Sequence, residues 1–409
     1  MTEISKKKAV TIFAAFALAY FISTLIRAIT ATLAPHLTRE LSLTAGELGL
    51  LAGGYFLGFS VTQLPLGKWL DHHGPKRVEL TFLSIAVLSC VGFSMANSFA
   101  GLLAARILCG VGVSACLMAP LTGYRRWYAP ANQLRANSWM LMVGAFGMVA
   151  STLPVQWLLP LIGWRPIFWI LAAGVLLAMG AIYWQVPAWR TTAAPAQTAS
   201  NTPASTGYAE IWASPLFWRL VPLGFIVYGG MVAVQTLWAT PWMVKVAGYA
   251  PEQASMGMFW LNVSMLVIFW LWGLANPWLA RRGITVLQLI TYGMPVNMLL
   301  LVAIAWMGPS LGSSTAFAWM LYCLTSTIGA QVQPAVGMSF RSELAGRALS
   351  AYNLVMFCGV FTVQWGIGLA IDALRRMGWQ EVPAYQGAMG LYALCCVGAY
   401  LYFLLLKKP

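Results

Sequence analysis

Of 409 residues, 60% are hydrophobic and 8% charged; the mean hydropathy is +0.74 and the formal net charge +14. A water-soluble chain of this length needs far more charge to cover its surface, so lipid must surround most of this one. The positive charge sits in the connections between apolar stretches, which argues against a nucleic-acid partner as its cause.

A helix needs roughly 20 apolar residues to cross about 30 Å of hydrocarbon. In chain order such stretches fall near 9–34, 45–66, 79–97, 101–122, 136–160 and 166–186, then near 217–244, 252–275, 284–307, 313–336, 349–373 and 385–406. The first run is too long for a cleavable leader and no small-residue cleavage site follows it, so it reads as span one. Between the two sets lies the stretch TTAAPAQTASNTPAST, which has no apolar periodicity and cannot build a core. The expected fold class is therefore an all-α polytopic membrane protein of twelve transmembrane helices. Its organisation is a six-helix bundle over 1–186, a cytoplasmic linker over 187–216 and a second six-helix bundle over 217–409.

The basic residues sort by parity. Lys6, Lys7 and Lys8 precede span one, and Lys76 and Arg77 follow span two. Arg125, Arg126 and Arg135 lie between spans four and five, Arg281 and Arg282 between eight and nine, and Arg341 and Arg347 before eleven; Lys407 and Lys408 end the chain. The opposite connections hold only Arg39, Arg165, Lys245, Arg375 and Arg376. This bias places both termini in the cytoplasm of a bacterial inner membrane. The two sets of spans also echo each other. Trp69-Leu70-Asp71-His72-His73-Gly74 follows span two, and Trp278-Leu279-Ala280-Arg281-Arg282-Gly283 follows span eight. Arg135-Ala136-Asn137-Ser138 before span five matches Arg347-Ala348-Leu349-Ser350 before span eleven at nearly the same offset. Duplication predicts a pseudo-two-fold axis along the membrane normal, with ligand sites near the midplane between the halves.

The stretch Gly67-Lys68-Trp69-Leu70-Asp71-His72-His73-Gly74-Pro75-Lys76-Arg77 resembles the loop-2/3 signature of the major facilitator superfamily, G-x-L-x-D-x-x-G-x-[KR]-[KR]. Arg106-Ile107-Leu108-Cys109-Gly110-Val111-Gly112 is similar to the family's R-x-x-x-G-x-G pattern in span four, and Gly163-Trp164-Arg165-Pro166 opens span six in the family manner. The resemblance implies alternating access, with Gly67, Asp71, Gly74, Lys76 and Arg77 acting as a conformational latch. The glycines suit a tight turn and close helix approach, and the carboxylate of Asp71 suits helix capping and pairing with basic residues. The second copy carries Ala280 where the first has Asp71, so the latch is expected to be asymmetric.

Charges inside a membrane are costly and usually functional, and two stand out: Arg27 in span one and Arg106 in span four. Counting to the outer ends of the spans puts Arg27 about 13 Å and Arg106 about 9 Å inside, at about 1.5 Å per residue. A guanidinium offers a planar fork suited to carboxylate or phosphate, so an anion between Arg27 and Arg106 is expected. Two roles stay open for Arg106, because many relatives use that position to hold helices together. The region from Arg27 to Asp71 resembles the organic-anion branches of the superfamily, in which an arginine at this place in span one contacts the anionic group. Tyr20 and Thr24 share a helix face with Arg27. Further cavity candidates are Tyr228, Gln235, Gln331 and Asn353, the amides serving either a substrate or an interhelical bond.

Of the ten acids none is placed in the middle of a span; Glu47, Glu79 and Asp372 are placed near span ends. Proton-coupled carriers of the family often keep a buried carboxylate, and Ile26 and Ser114 occupy places where some anion symporters carry acids. Symport, exchange and uniport therefore stay open. The seven cysteines fall within spans and form no disulfide or metal framework, and no nucleophile–base set or cofactor motif is present. The expectation is a non-enzymatic, cofactor-free, monomeric transporter of a small anionic molecule such as a carboxylate. An exporter of amphipathic or aromatic compounds is the alternative. Behind it stand a copper importer, suggested by twenty methionines, and a non-transporting sensor.

Overall fold

The computed structural model describes residues 5–128, 130–189 and 204–406, and among these all regular structure is helical. Span one is a single helix, Lys6–Leu41, that runs on through Pro35 and stops where Ser42 turns to φ 50°. It is thus longer than the expected 9–34. Span two is Ala45–Val61, and after one intervening residue the chain continues as Gln63–Met95, which carries both the motif and span three. Span four is Phe99–Val113 followed by Met118–Trp127; span five is the bent pair Pro130–Ala150 and Leu153–Ile162; span six is Trp164–Gln185.

The second set opens with Pro215–Pro222 and Ala239–Lys245, joined through two π-helical segments, Leu223–Tyr228 and Val234–Trp238, with Gly229–Ala233 between them. Pro251–Arg281, Val286–Met307, Thr315–Ala330 with Val332–Met338, Ser342–Arg376 and Glu381–Leu405 follow. Caps mark several starts: Ser98 Oγ accepts from Gly101 N–H, and Thr285 and Gln288 form a reciprocal capping box. Among the described residues nine helices are long and apolar enough to cross a bilayer, or ten with the bent pair. The gap from twelve has two causes. Ala45–Val61 has only 17 residues, and the stretch Val286–Met338, counted once, carries two expected spans.

Large apolar side chains crowd the outer helix faces; Trp157, Trp184 and Trp306 are 66, 79 and 85% exposed. Exposure on that scale suits contact with acyl chains and is unfavourable against water. Much of the expected linker, residues 190–203, lies outside the described residues. Its C-terminal part departs from expectation: Ala204–Ala213 is helical, because Ile211 is fully buried and Trp212 packs edge-on against Phe217.

The chain divides into two compact units, Met1–Thr30 with Gly54–Ala199, and Ala31–Gly53 with Ser200–Pro409. In the first, spans three, four and six pack together, with Phe93 stacked on Phe168 at 4.2 Å between ring centroids. In the second, Trp242, Trp319 and Tyr322 pack edge to face, and the hydroxyls of Tyr322 and Tyr392 lie 2.7 Å apart. There, too, the carboxylate of Asp372 accepts from the N–H groups of Ala45 at 3.1 Å and Gly46 at 2.8 Å. It satisfies orphan donors at the start of Ala45–Val61.

Candidate functional site

The site in the first unit is built by glycine. A Cβ on Gly110 of span four would strike the backbone of Tyr55, and one on Gly58 of span two would strike the carbonyl of Ile107. Spans two and four therefore meet backbone to backbone, as expected of small residues in a bundle. Gly112 does the same against Ala86 of span three. The R-x-x-x-G-x-G spacing thereby acquires a physical reason: its glycines pull the helices in while its arginine reaches across to span one.

Arg106 is 1% exposed. Its Nη1 donates to the carbonyl of Ile26 at 2.7 Å and its Nη2 to the carbonyl of Arg27 at 3.0 Å. The guanidinium lies over the Tyr55 ring, 5.0 Å from its centroid. Arg27 sits beside it, its Nε 3.5 Å from the Tyr55 hydroxyl and its guanidinium 5.6 Å from the Phe59 centroid. The two arginines are thus neighbours across spans one and four. Two of the nitrogens of Arg106 are occupied by span-one carbonyls, so this side chain fixes the backbone that carries Arg27. Tyr55 and Phe59 went unnoticed in the sequence, where they read as ordinary aromatic residues of an apolar span.

Tyr20 and Thr24 take a different face. Both are buried, and the space that a Cβ on Gly144 or Gly147 of span five would need is filled by Tyr20 and Thr24 respectively. The Thr24 hydroxyl donates to the carbonyls of Tyr20 and Phe21 in its own helix. These two residues pack span one on span five.

In the second unit Tyr228 ends the first π-helical segment and Gln235 lies in the second. Such irregular turns inside helices are frequent at functional sites. The amides pair with other amides. Gln235 Nε2 donates to Asn262 Oδ1 at 2.9 Å, Asn276 Nδ2 donates to Gln331 Oε1 at 3.1 Å, and Gln333 Nε2 donates to Asn353 Oδ1 at 2.5 Å. Of the two roles open to them, the interhelical bond is the one their contacts display.

At the motif, Gly74 has φ 77°, a conformation that a side chain strains, and a Cβ there would also strike the Trp189 ring. Lys76 Nζ donates to the Tyr183 carbonyl at 2.5 Å and lies over that ring, while Arg126 covers Trp189 at 4.5 Å. Asp71 is exposed, with Arg125 the cation acting on it, and Arg77 is exposed. Gly67 lies within a helix with open space around its Cβ position, so the expected close approach does not occur there. Gly74→Ala is expected to cost about 1–3 kcal/mol, whereas Gly67→Ala should be neutral or stabilising by up to about 1 kcal/mol. Melting curves of the two purified variants check this; equal losses would contradict it.

One acid is more enclosed than its place in the sequence suggests. Glu79, expected near a span end, stands four residues after Pro75, where the helix resumes past the break at Gly74, and it is fully buried where Val78 and Phe82 pack with Ala115 and Ala119. Among the described residues no group of three His, Cys, Asp or Glu side chains is placed to hold a metal ion.

Comparison with known proteins supplies the frame for this geometry. The chain is 30% identical over 161 residues to a chloramphenicol resistance protein of Pseudomonas aeruginosa, covering 38% of this chain and 36% of that protein. It is 29% identical over 162 residues to a galacturonate transporter of Dickeya chrysanthemi, covering 39% and 46%. The chain thus spans less than half the length of either curated relative. A bacterial homologue of the human lysosomal transporter Spinster shares the fold, with a TM-score of 0.80, 18% identity and 98% of each chain covered. The sequence model of the Major Facilitator Superfamily matches residues 16–364, most of the chain, and the chain belongs to that superfamily.

Proposed function

We propose that the protein is a secondary transporter, working by alternating access, that carries a small organic anion such as a carboxylate across a bacterial inner membrane. Arg27 is the anion contact; Arg106 and Tyr55 position it. The observation that carries this reading is the gathering of two guanidinium groups inside one apolar bundle, one bonded to the backbone carbonyl of the other. Like charges in a low-dielectric setting repel, and an anion arriving between helices relieves that cost. Charge-assisted bonds from a guanidinium fork suit a carboxylate. The similarity to a galacturonate transporter supports the same substrate class. Asp71, Gly74, Lys76 and Arg77 serve the latch, while the amides Gln235, Gln331 and Asn353 tie helices within the second unit. The chain acts as a monomer with both termini in the cytoplasm, in keeping with the parity of its basic residues.

D-galacturonate is the first probe, within a panel of small carboxylates. A carboxylate that binds the folded protein raises its melting temperature by mass action. The shift is expected in the wild type and absent in Arg27→Ala; no stabilisation by any member of the panel would remove the anion reading. The second reading, export of amphipathic compounds, draws on the similarity to a chloramphenicol resistance protein. Chloramphenicol tolerance raised in an overexpressing strain, together with no carboxylate response, favours it.

A further inference from the structure

The first unit contains a second polar cluster, apart from the two arginines. Glu79 is fully buried, and neither of its carboxyl oxygens has an oxygen or nitrogen partner among the described residues. The buried hydroxyls of Ser23 and Tyr124 are likewise without one. The thiol of Cys116 lies within reach of both Ser23 and Glu79, and Tyr124 acts on Glu79 from the end of span four. A thiol is a weak donor. An ionised carboxylate with no stronger donor in so apolar a place costs several kcal/mol, roughly the price of an unpaired buried ion. The group is stable there as a neutral acid.

Its position relative to Arg27 gives the acid a use. Ser23 stands one helical turn before Arg27 on span one, and Arg27 acts electrostatically on the Cys116 thiol. Span one therefore links the guanidinium to the carboxyl through Ser23 and Cys116. Among the described residues, spans one and four present the polar groups just named, and the Cys116 thiol is the side chain acting directly on the acid.

We propose that Glu79 is the proton-binding site of this transporter, already protonated before an anion reaches Arg27 and discharged on the cytoplasmic side within each transport cycle. The inference rests on the anion reading for its substrate. In each cycle one proton is bound and released, so the carboxyl returns to its starting form and the transported pair is an anion with a proton. Ser23, Cys116 and Tyr124 are neutral hydrogen-bonding neighbours that hold the acid form and offer no competing charge.

Infrared spectra of the full-length protein in lipid, recorded through a pH titration, test the site without any substrate. The wild type should carry a carboxylic-acid C=O band that persists at neutral pH, disappears in Glu79→Gln and moves in frequency in Glu79→Asp. Proteoliposomes with D-galacturonate supply the second readout. Glu79→Gln should keep anion exchange while uptake driven by a pH gradient falls about tenfold or more. A wild-type spectrum with no such band, or an ionised carboxylate that responds to sodium in its place, overturns the proposal. So does pH-driven uptake by Glu79→Gln equal to that of the wild type. Should no carboxylate be carried by any variant, the anion reading fails, and the infrared band alone decides the protonation of Glu79.

Discussion

Arg27→Ala is expected to lower D-galacturonate uptake by about 10- to 150-fold, with protein abundance in the membrane unchanged. The range corresponds to roughly 1.5–3 kcal/mol for hydrogen bonds to a charged group. Abundance should hold because the bonds from Arg106 to the carbonyls of Ile26 and Arg27 remain after the substitution. Arg27→Lys keeps the charge but loses the planar fork and the reach of Nε toward Tyr55, so it should recover only part of the rate. Tyr55→Phe, which removes the hydroxyl near Nε, should lie between Arg27→Lys and the wild type. Initial uptake rates in vesicles, normalised to immunoblotted protein, measure the series. Wild-type uptake by Arg27→Ala would refute the assignment.

Gly110→Ala is expected to abolish uptake by a different route. The added methyl would overlap the Tyr55 carbonyl oxygen and come within 2.9 Å of the Phe59 nitrogen. Both obstacles are backbone, so no rotamer change relieves them, and span two must move away from span four. That displacement carries Tyr55 out from beneath Arg106 and away from Arg27. Overpacking of this kind costs about 1–3 kcal/mol, or more where the backbone is involved. Gly92→Ala is the matched control on span three, since its Cβ would meet only the Ala105 methyl at 3.9 Å. Folded yield by size-exclusion chromatography and uptake should both fall for Gly110→Ala and hold for Gly92→Ala. Equal behaviour of the two would show that the close contact of spans two and four is dispensable.

The proximity of Arg27 to Arg106 was legible because position along a straight helix follows from counting residues, and two charges within apolar spans are rare enough to notice. Tyr55 and Phe59 were not legible. Their role depends on how closely spans two and four approach, which Gly58 and Gly110 set in three dimensions. Gln235, Gln331 and Asn353 fit the sequence equally well as substrate ligands or helix ties; only the positions of Asn262, Asn276 and Gln333 distinguish the two. Glu79 misled for a related reason. Its place one turn after the break at Gly74 gave no sign of the neighbouring helices that enclose it.

Hydropathy and the parity of the basic residues are properties of the chain itself, and they sufficed for the membrane class, the helical content and the order of the spans. The expense of placing a charge in hydrocarbon likewise marked Arg27 and Arg106 without coordinates. What a side chain faces is decided by packing between helices distant in sequence. Hence the clamp of Arg106 on span one, the aromatic seat beneath it and the burial of Glu79 belong to the tertiary structure alone.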